Sequence, residues 1–169
     1  MRALVTGGAG FIGRWLIKKL LKEDFEVWVI DNLENGQESN LKEFEGHPGL
    51  KDVVYGDILN TTALQTVFHS RPEIVYHLAA QINIKESLEK PKKSYDVNIQ
   101  GTYNVLERCR STQSKLMLMG TCMVYDMAES HKPICETHQL KPTSPYAASK
   151  LSAEILAQSY YYSYGLPVV

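Results

Sequence analysis

Several features that mark other protein classes are scarce or missing in this sequence of 169 residues. It has only three cysteines, Cys109, Cys122 and Cys135, and their odd number and spacing favour neither a disulfide framework nor a cysteine metal centre. No apolar run is long enough to span a bilayer. Met1-Arg2 leads directly into a short apolar run, without the pattern of a secretion signal. We therefore expect a cytoplasmic protein in a reducing compartment.

Charge of one sign is not in excess either, since the formal net charge is −1. Nucleic acids and acidic membranes attract strongly basic surfaces, so we expect no nucleic-acid and no membrane partner. The histidines show no spacing typical of metal ligands, and no metal site is expected from His47, His69, His77, His131 and His138.

A glycine-rich stretch near the N-terminus is the most informative part of the sequence. An apolar run at residues 3–5 predicts a buried strand, and apolar residues at helical spacing after it predict an amphipathic helix. Between them lie Gly7, Gly10 and Gly13. At such a turn, three glycines allow a tight bend, a close backbone approach to a pyrophosphate, and close packing of helix on strand. Because the first amides of the helix would face the phosphates, the stretch predicts a dinucleotide site.

Strand and helix patterns alternate along the rest of the chain. Predicted strands cover 25–30, 52–55, 72–77 and 115–119, predicted helices cover 61–68, 92–110 and 146–164, and 168–169 opens a further strand. This alternation predicts an α/β fold, with a Rossmann-like, doubly wound parallel sheet, helices on both faces, and ligands at the carboxyl ends of the strands. The length predicts one domain, 1–169. Residues 81–91 are predicted to be a polar loop, and 126–143 a functional loop, because it is too long for a simple connector.

Polar and small residues follow the predicted strands at this edge of the sheet. Asp31 ends the second strand about 20 residues after the glycines, where a carboxylate binds the adenosine ribose and repels a 2′-phosphate, which favours NAD over NADP. Asp57 either reaches the adenine amino group or begins the next turn. Ala79 and Ala80 let the chain run close to a diphosphate and ribose. Asn98, inside the predicted helix 92–110, is either functional or an interior amide with satisfied hydrogen bonds.

Tyr146 and Lys150 are four residues apart on one predicted helix and therefore share a face. A phenol has an unperturbed pKa of about 10 and is a poor base at neutral pH. A neighbouring ammonium group and a positively charged nicotinamide both favour the phenolate, which makes Tyr146 a candidate general base for a sugar hydroxyl. Thr121, at the end of the neighbouring strand, can donate to the same substrate oxygen.

Together these motifs resemble the extended short-chain dehydrogenases/reductases, in their nucleotide-sugar epimerase/dehydratase family. The similarity rests on Thr6–Gly13, Ile30–Leu33, Gly56-Asp57, His77–Ala80, Val97-Asn98, Thr121–Tyr125 and Ser144–Lys150. It implies an NAD-dependent enzyme with Tyr146 as base, Lys150 as the ribose-binding cation and Thr121 as hydroxyl partner. The cofactor contacts that it predicts are Gly7, Gly10, Phe11, Ile12, Gly13, Asp31, Asn32, Asp57, Ile58, Ala79, Ala80, Asn98, Tyr146 and Lys150.

Two departures from the family pattern qualify this interpretation. Sugar 4,6-dehydratases usually carry Asp-Glu after the catalytic threonine, whereas this chain has Cys122-Met123, so the resemblance favours 4-epimerisation of a UDP-hexose over dehydration. Chains of the family also continue into a C-terminal substrate domain. The expectation is that this chain stops before that domain, which leaves a non-catalytic NAD-binding fragment as the alternative of another class.

The resemblance also implies a homodimer. Family members commonly pair two helices about a two-fold axis, and here these correspond to residues 92–110 and 146–164. The second offers more apolar and aromatic residues than one core-facing stripe requires, as is typical of interfaces. Tyr103 or Tyr161 is expected to contribute, unless further segments of the chain cover these residues.

Overall fold

A five-stranded parallel sheet forms the centre of the computed structural model, which describes residues 1–128 and 133–169. The strands are β1 (Arg2–Thr6), β2 (Glu26–Asp31), β3 (Leu50–Tyr55), β4 (Ile74–His77) and β5 (Lys115–Leu118). Their spatial order is β3-β2-β1-β4-β5. The chain therefore adds β2 and β3 on one side of β1, and then crosses back to add β4 and β5 on the other side. Val168 forms a parallel bridge with Leu116, where a further strand is predicted.

Helices cover both faces of this sheet. They are α1 (Phe11–Lys22), α2 (Thr61–Phe68), α3 (Ile84–Glu89), α4 (Pro91–Tyr95), α5 (Thr102–Thr112) and α6 (Pro145–Tyr164). One core joins the sheet to α1, and the other joins it to α2, α5 and α6. The predicted doubly wound, Rossmann-like α/β fold is confirmed.

Side-chain caps explain several helix boundaries. Asn60 accepts the N–H groups of Thr62 and Ala63 at the start of α2. Ser144 caps α6, which ends at Gly165 in the left-handed region, with φ +65°. Within residues 1–128 and 133–169, no helix is long and apolar enough to cross a membrane.

Two predictions of local structure were wrong. The segment 81–91 is not all loop, because it contains α3. The side chain of Asn83 caps the first turn of this helix by accepting the N–H of Glu86 at 3.0 Å. The predicted helix 92–110 is not one α-helix either. Its middle, Asp96–Gly101, is a π-helical segment between α4 and α5.

Candidate active site

A cleft of about 490 Å³ opens at the carboxyl ends of the strands. Its floor is the turn between β1 and α1, one wall follows β2 and β3, and the other follows β4 and includes the start of α6. Most residues predicted to bind the cofactor line it: Gly7, Gly10, Phe11, Ile12, Gly13, Asp31, Asn32, Asp57, Ile58, Ala79, Ala80, Tyr146 and Lys150. The structure places Asn98 and Thr121 outside this lining.

The glycine turn is built by positions where a side chain has no room. Gly7 has φ +73°, and a Cβ there would lie 2.7 Å from the backbone nitrogen of Ala79. A Cβ on Gly13 would lie 2.6 Å from the Cα of Gly8, so α1 packs directly on the end of β1. Gly10 is the N-cap of α1, and the first amides of this helix have no acceptor within the helix. This backbone cradle fits a diphosphate at a helix N-terminus.

Asp31 is buried at the end of β2, and both of its carboxylate oxygens accept backbone hydrogen bonds. The Ala9 N–H donates to Oδ2 at 2.9 Å, and the Leu33 N–H donates to Oδ1 at 2.8 Å. The carboxylate is therefore fixed in one orientation at the edge of the cleft. Beside it, the side-chain amide of Asn32 donates to Asp57 at 2.9 Å, which joins the ends of β2 and β3.

Behind the cleft floor, His77 links β1, β4 and α5. Its Nδ1 lies 2.7 Å from the Thr6 hydroxyl, and its Nε2 lies 3.1 Å from the Thr102 hydroxyl. The Thr102 hydroxyl donates its proton to the carbonyl of Asn98, so it can only accept from His77. The network therefore assigns a neutral imidazole with its proton on Nε2. Burial, together with the positive charge of Lys150, lowers the pKa of His77 to about 3.

Asn98 is a buried amide within the π-helical segment, and its hydrogen bonds are all internal. Its Oδ1 accepts the N–H of Gln81 at 2.8 Å, and its Nδ2 donates to the Gln81 carbonyl and to Ser149 Oγ. The Ser149 hydroxyl in turn donates to the carbonyl of Tyr146 at 2.7 Å. The amide of Asn98 therefore connects the chain after β4 with α6, and its predicted contact with the cofactor stays a prediction.

Tyr146 and Lys150 lie one turn apart on α6 and both line the cleft, next to Met119 at the end of β5. Lys150 is buried, and its ammonium group donates to the Met119 carbonyl at 2.6 Å. Burial lowers the pKa of Lys150, and the carboxylate of Glu154, one turn further along α6, opposes that shift. The helix therefore brings a phenol and a cation to one end of the cleft, as their spacing predicts.

Thr121 lies just beyond the cleft-lining Gly120. It begins a short 3₁₀ turn, Cys122–Val124, in which its hydroxyl oxygen accepts the N–H of Met123 at 3.3 Å. Its part as hydroxyl partner of the substrate stays a prediction. Cys122 and Met123 are exposed beside it.

Some residues that line the cleft were not predicted from the sequence. The Asn35-Gly36 pair indicates a turn, but a Cβ on Gly36 would also lie 3.0 Å from Asp31 Oδ1, so this glycine lets the loop after β2 close against the carboxylate. Glu34 in the same loop lines the cleft as well. Glu154 does not line the cleft, but it acts on the charge of Lys150 and could have been found from its spacing of four residues from that lysine.

The predicted functional loop 126–143 lies partly outside the described residues, since 129–132, with His131, are not described. Its described parts, 126–128 and 133–143, contribute no residue to the cleft lining. They are joined by an ion pair between Lys141 and Asp126 at 3.1 Å. The functional interpretation of this loop stays a prediction.

The fold and the cleft define a Rossmann-type dinucleotide-binding domain that carries a Tyr-x-x-x-Lys pair. The family model described as GDP-mannose 4,6 dehydratase matches residues 4–169, so the chain belongs to that family. This confirms the resemblance to extended short-chain dehydrogenases/reductases that act on nucleotide sugars.

Solved structures agree with this assignment over the whole chain. Pal from Bacillus thuringiensis is 45% identical, with a TM-score of 0.96, over 100% of this chain and 54% of its own. UDP-glucose 4-epimerase from Thermus thermophilus, in complex with NAD, is 37% identical with a TM-score of 0.89, over 99% and 53%. DesIV, a dTDP-glucose 4,6-dehydratase from Streptomyces venezuelae with NAD bound, is 33% identical with a TM-score of 0.91, over 99% and 54%. The chain also spans only about half the length of the curated relatives it matches.

Proposed function

We propose that this chain is the cofactor-binding and catalytic part of an NAD-dependent enzyme that modifies a nucleotide sugar by transient oxidation at C4. The reaction proposed first is 4-epimerisation of a UDP-hexose. The observation that carries the proposal is that Tyr146 and Lys150 line the same cleft as the glycine turn and Asp31. A base, a cation and a dinucleotide cradle are thereby within one site.

NAD is the proposed cofactor because the cleft fits it at both ends. The glycine cradle suits the diphosphate, and the fixed carboxylate of Asp31 suits a ribose with free hydroxyls and disfavours a 2′-phosphate. Relatives with NAD bound support the same choice. When bound, NAD supplies the acceptor and donor of hydride.

The chain's own residues supply the proton chemistry in this proposal. Tyr146 takes the proton from the sugar 4-hydroxyl as hydride leaves C4, and returns it when the ketone is reduced from the other face. Lys150 stabilises the phenolate through its positive charge and holds the nicotinamide ribose. Its hydrogen bond to Met119 keeps the ammonium group at the end of β5. Thr121 donates a hydrogen bond to the same sugar oxygen.

Dehydration at C4 and C6 is the second candidate, because dTDP-glucose 4,6-dehydratases are among the relatives. That reaction needs a general acid and base to eliminate water. The two residues after Thr121, Cys122 and Met123, carry no carboxyl group and are exposed. This favours epimerisation, which requires only oxidation, rotation of the keto sugar and reduction.

We do not assign the sugar-binding half of the site to these 169 residues, because the chain spans about half the length of its relatives. A non-catalytic NAD-binding module is therefore the candidate from another class. Calorimetry with the protein as encoded by its gene separates the enzyme from the non-catalytic module. If the protein binds NAD but not UDP, the module is supported, whereas tight binding of UDP contradicts it.

We also propose a cytoplasmic homodimer. Free thiols on Cys109, Cys122 and Cys135 support a reducing compartment. The dimer is proposed to form through α6 and the helical segment from α4 to α5, which pack together on one face of the sheet.

The reaction is tested by incubating the purified protein with UDP-glucose and, separately, with UDP-galactose, without added reductant. Interconversion of the two sugars is the expected result. Accumulation of a 6-deoxy-4-keto sugar would instead establish the dehydratase, and the absence of any sugar product would remove the catalytic proposal.

A further inference from the structure

An ion-pair cluster joins the loop after β2 to the helices that follow β4. Glu34, in the loop after β2, lines the cleft and pairs with Lys93 of α4. The same ammonium group pairs at 2.8 Å with Glu86 of α3. One cation therefore bridges a carboxylate on the adenosine wall and a carboxylate on the segment that follows β4.

The strand order shows what this bridge crosses. Because β1 lies between β2 and β4, a contact from the loop after β2 to the helices after β4 passes over the carboxyl end of β1. That end is the glycine turn, where Gly7 and Gly10 form the cradle for a diphosphate. A dinucleotide bound as proposed, from Asp31 to Lys150, would cross the same strand end as the contact between Glu34 and Lys93.

The two ends of the bridge are held differently. On the α3 side, Glu86 also accepts a hydrogen bond from the Gln81 side chain, which in turn donates to the Asn83 carbonyl. On the β2 side, the Glu34 N–H donates to the Asn32 side chain within a short surface loop. When the bridge opens at Glu34, Lys93 keeps its partner Glu86. Opening thus breaks one ion pair and leaves no cation unpaired.

We propose that Glu34 and Lys93 form a clasp that closes over the bound dinucleotide and slows its release, with Glu86 as the fixed anchor. The inference rests on the proposed use of NAD, which has to stay bound between oxidation and reduction of the sugar. Hydrogen bonds to Glu34 and Glu86 raise the pKa of Lys93, and the hydrogen bond from Lys93 lowers the pKa of Glu86, so the charged forms of this cation and its anchor are favoured.

The size of the expected effect follows from the exposure of the pair, whose side chains are 32% and 39% exposed. Partly exposed ion pairs contribute about 0.2–1 kcal/mol, which corresponds to a change in rate of up to about fivefold. Because salt screens such pairs, the effect is expected to shrink as ionic strength rises.

The test measures the rate of NAD release by stopped-flow fluorescence from the protein as encoded by its gene. Lys93→Met and Glu34→Gln are each expected to speed release about two- to fivefold, and the double variant is expected to be no faster than the faster single variant. Lys92→Met is the matched control, because Lys92 is 86% exposed and its ion pair among the described residues is with Asp96, four residues further along the chain.

High salt is expected to speed release from the unmodified protein and to leave Lys93→Met unchanged. A release rate of Lys93→Met equal to that of Lys92→Met would overturn the clasp, and so would additive effects of the two single changes. An enzyme that holds NAD through the clasp but converts no sugar would disprove only the proposed function. A protein that binds no NAD would disprove both.

Discussion

At the scale of single residues, Asp31 is the group that we expect to select the cofactor. Its two oxygens are fixed by backbone N–H groups, so the carboxylate cannot turn away from a 2′-phosphate. Asp31→Asn removes the charge and sets an NH₂ group against one of those amides. Because hydrogen bonds to charged groups are worth about 1.5–3 kcal/mol, we expect NAD affinity to fall about tenfold or more. The preference for NAD over NADP should fall with it.

Titration of both cofactors checks this prediction, and Asp57→Asn is its control. Asp57 lies in the same wall and bonds Asn32 and the Leu59 N–H, but it follows β3 on the adenine side. Its replacement should weaken NAD and NADP equally. An unchanged cofactor preference in Asp31→Asn would show that selection lies elsewhere.

Tyr146 is the residue on which the proposed chemistry depends. Tyr146→Phe keeps the ring at the cleft and removes the hydroxyl, so turnover should fall about a thousandfold while NAD affinity stays nearly unchanged.

Lys150→Met should lower turnover, weaken NAD binding and move the pH–rate profile to higher pH, because the cation that favours the phenolate is lost. Steady-state rates across pH and NAD titrations check both variants. Near-normal turnover of Tyr146→Phe would rule out the mechanism.

At the scale of elements, His77 couples β1, β4 and α5, and its titration should appear in the stability of the fold. An unfolded histidine takes up a proton near pH 6.5, whereas folded His77, with its pKa lowered to about 3, does not. The contribution of neutral His77 to the free energy of unfolding is therefore intact above about pH 6.5, and it is lost as the pH falls from about 6.5 towards 3. Between pH 7 and pH 5 the loss amounts to about 2 kcal/mol.

Denaturant unfolding at pH 7 and pH 5 measures this contribution. His77→Gln should lose less stability over that interval than the unmodified protein, whatever its own stability at pH 7. His69→Gln is the control, because His69 is exposed at the end of α2 and its ring nitrogen lies within hydrogen-bond distance of the Gln65 carbonyl on its own helix. Equal losses in all three proteins would contradict a buried, neutral His77.

The elements also show how far sequence reasoning reaches. The strands, α1, α2 and α6 were predictable, because their apolar periodicity and the caps Asn60 and Ser144 are local signals. The helix α3 was not, since its six residues are too few for a clear period and its cap, Asn83, also suits a loop. The π-helical segment was not predictable because its sequence keeps a helical pattern, in which Asn98 was an unusual residue but did not indicate a change of helix type.

The same distinction applies to the cleft. Residues that contribute backbone or charge at a strand end, such as Gly7 and Asp31, were predictable because their role follows from the motif. Glu34 and Lys93 were not, because they are 59 residues apart and ordinary in composition, and only the strand order brings them together. Long-range pairs of this kind need the fold.

At the scale of the whole molecule, the surface of α6 and of the neighbouring α5 is more aromatic than the core requires. Tyr160 packs inward and donates to Glu107 at 2.6 Å. The next tyrosine, Tyr161, is 52% exposed, and Ile155 on the same helix and Tyr103 on α5 are exposed as well. Exposed aromatic side chains are enriched at interfaces, which supports the proposed two-fold contact.

We therefore expect the protein as encoded by its gene to sediment as a dimer at micromolar concentration. Tyr161→Glu places a charge in the proposed contact and should shift the protein to monomer, because an unpaired charge that is buried between two copies costs several kcal/mol. Tyr55→Glu is the matched control, since Tyr55 is 51% exposed but lies on the edge strand β3, across the sheet from α6. A monomeric unmodified protein would refute the dimer, whereas a dimer that persists in Tyr161→Glu would show that this tyrosine lies outside the contact.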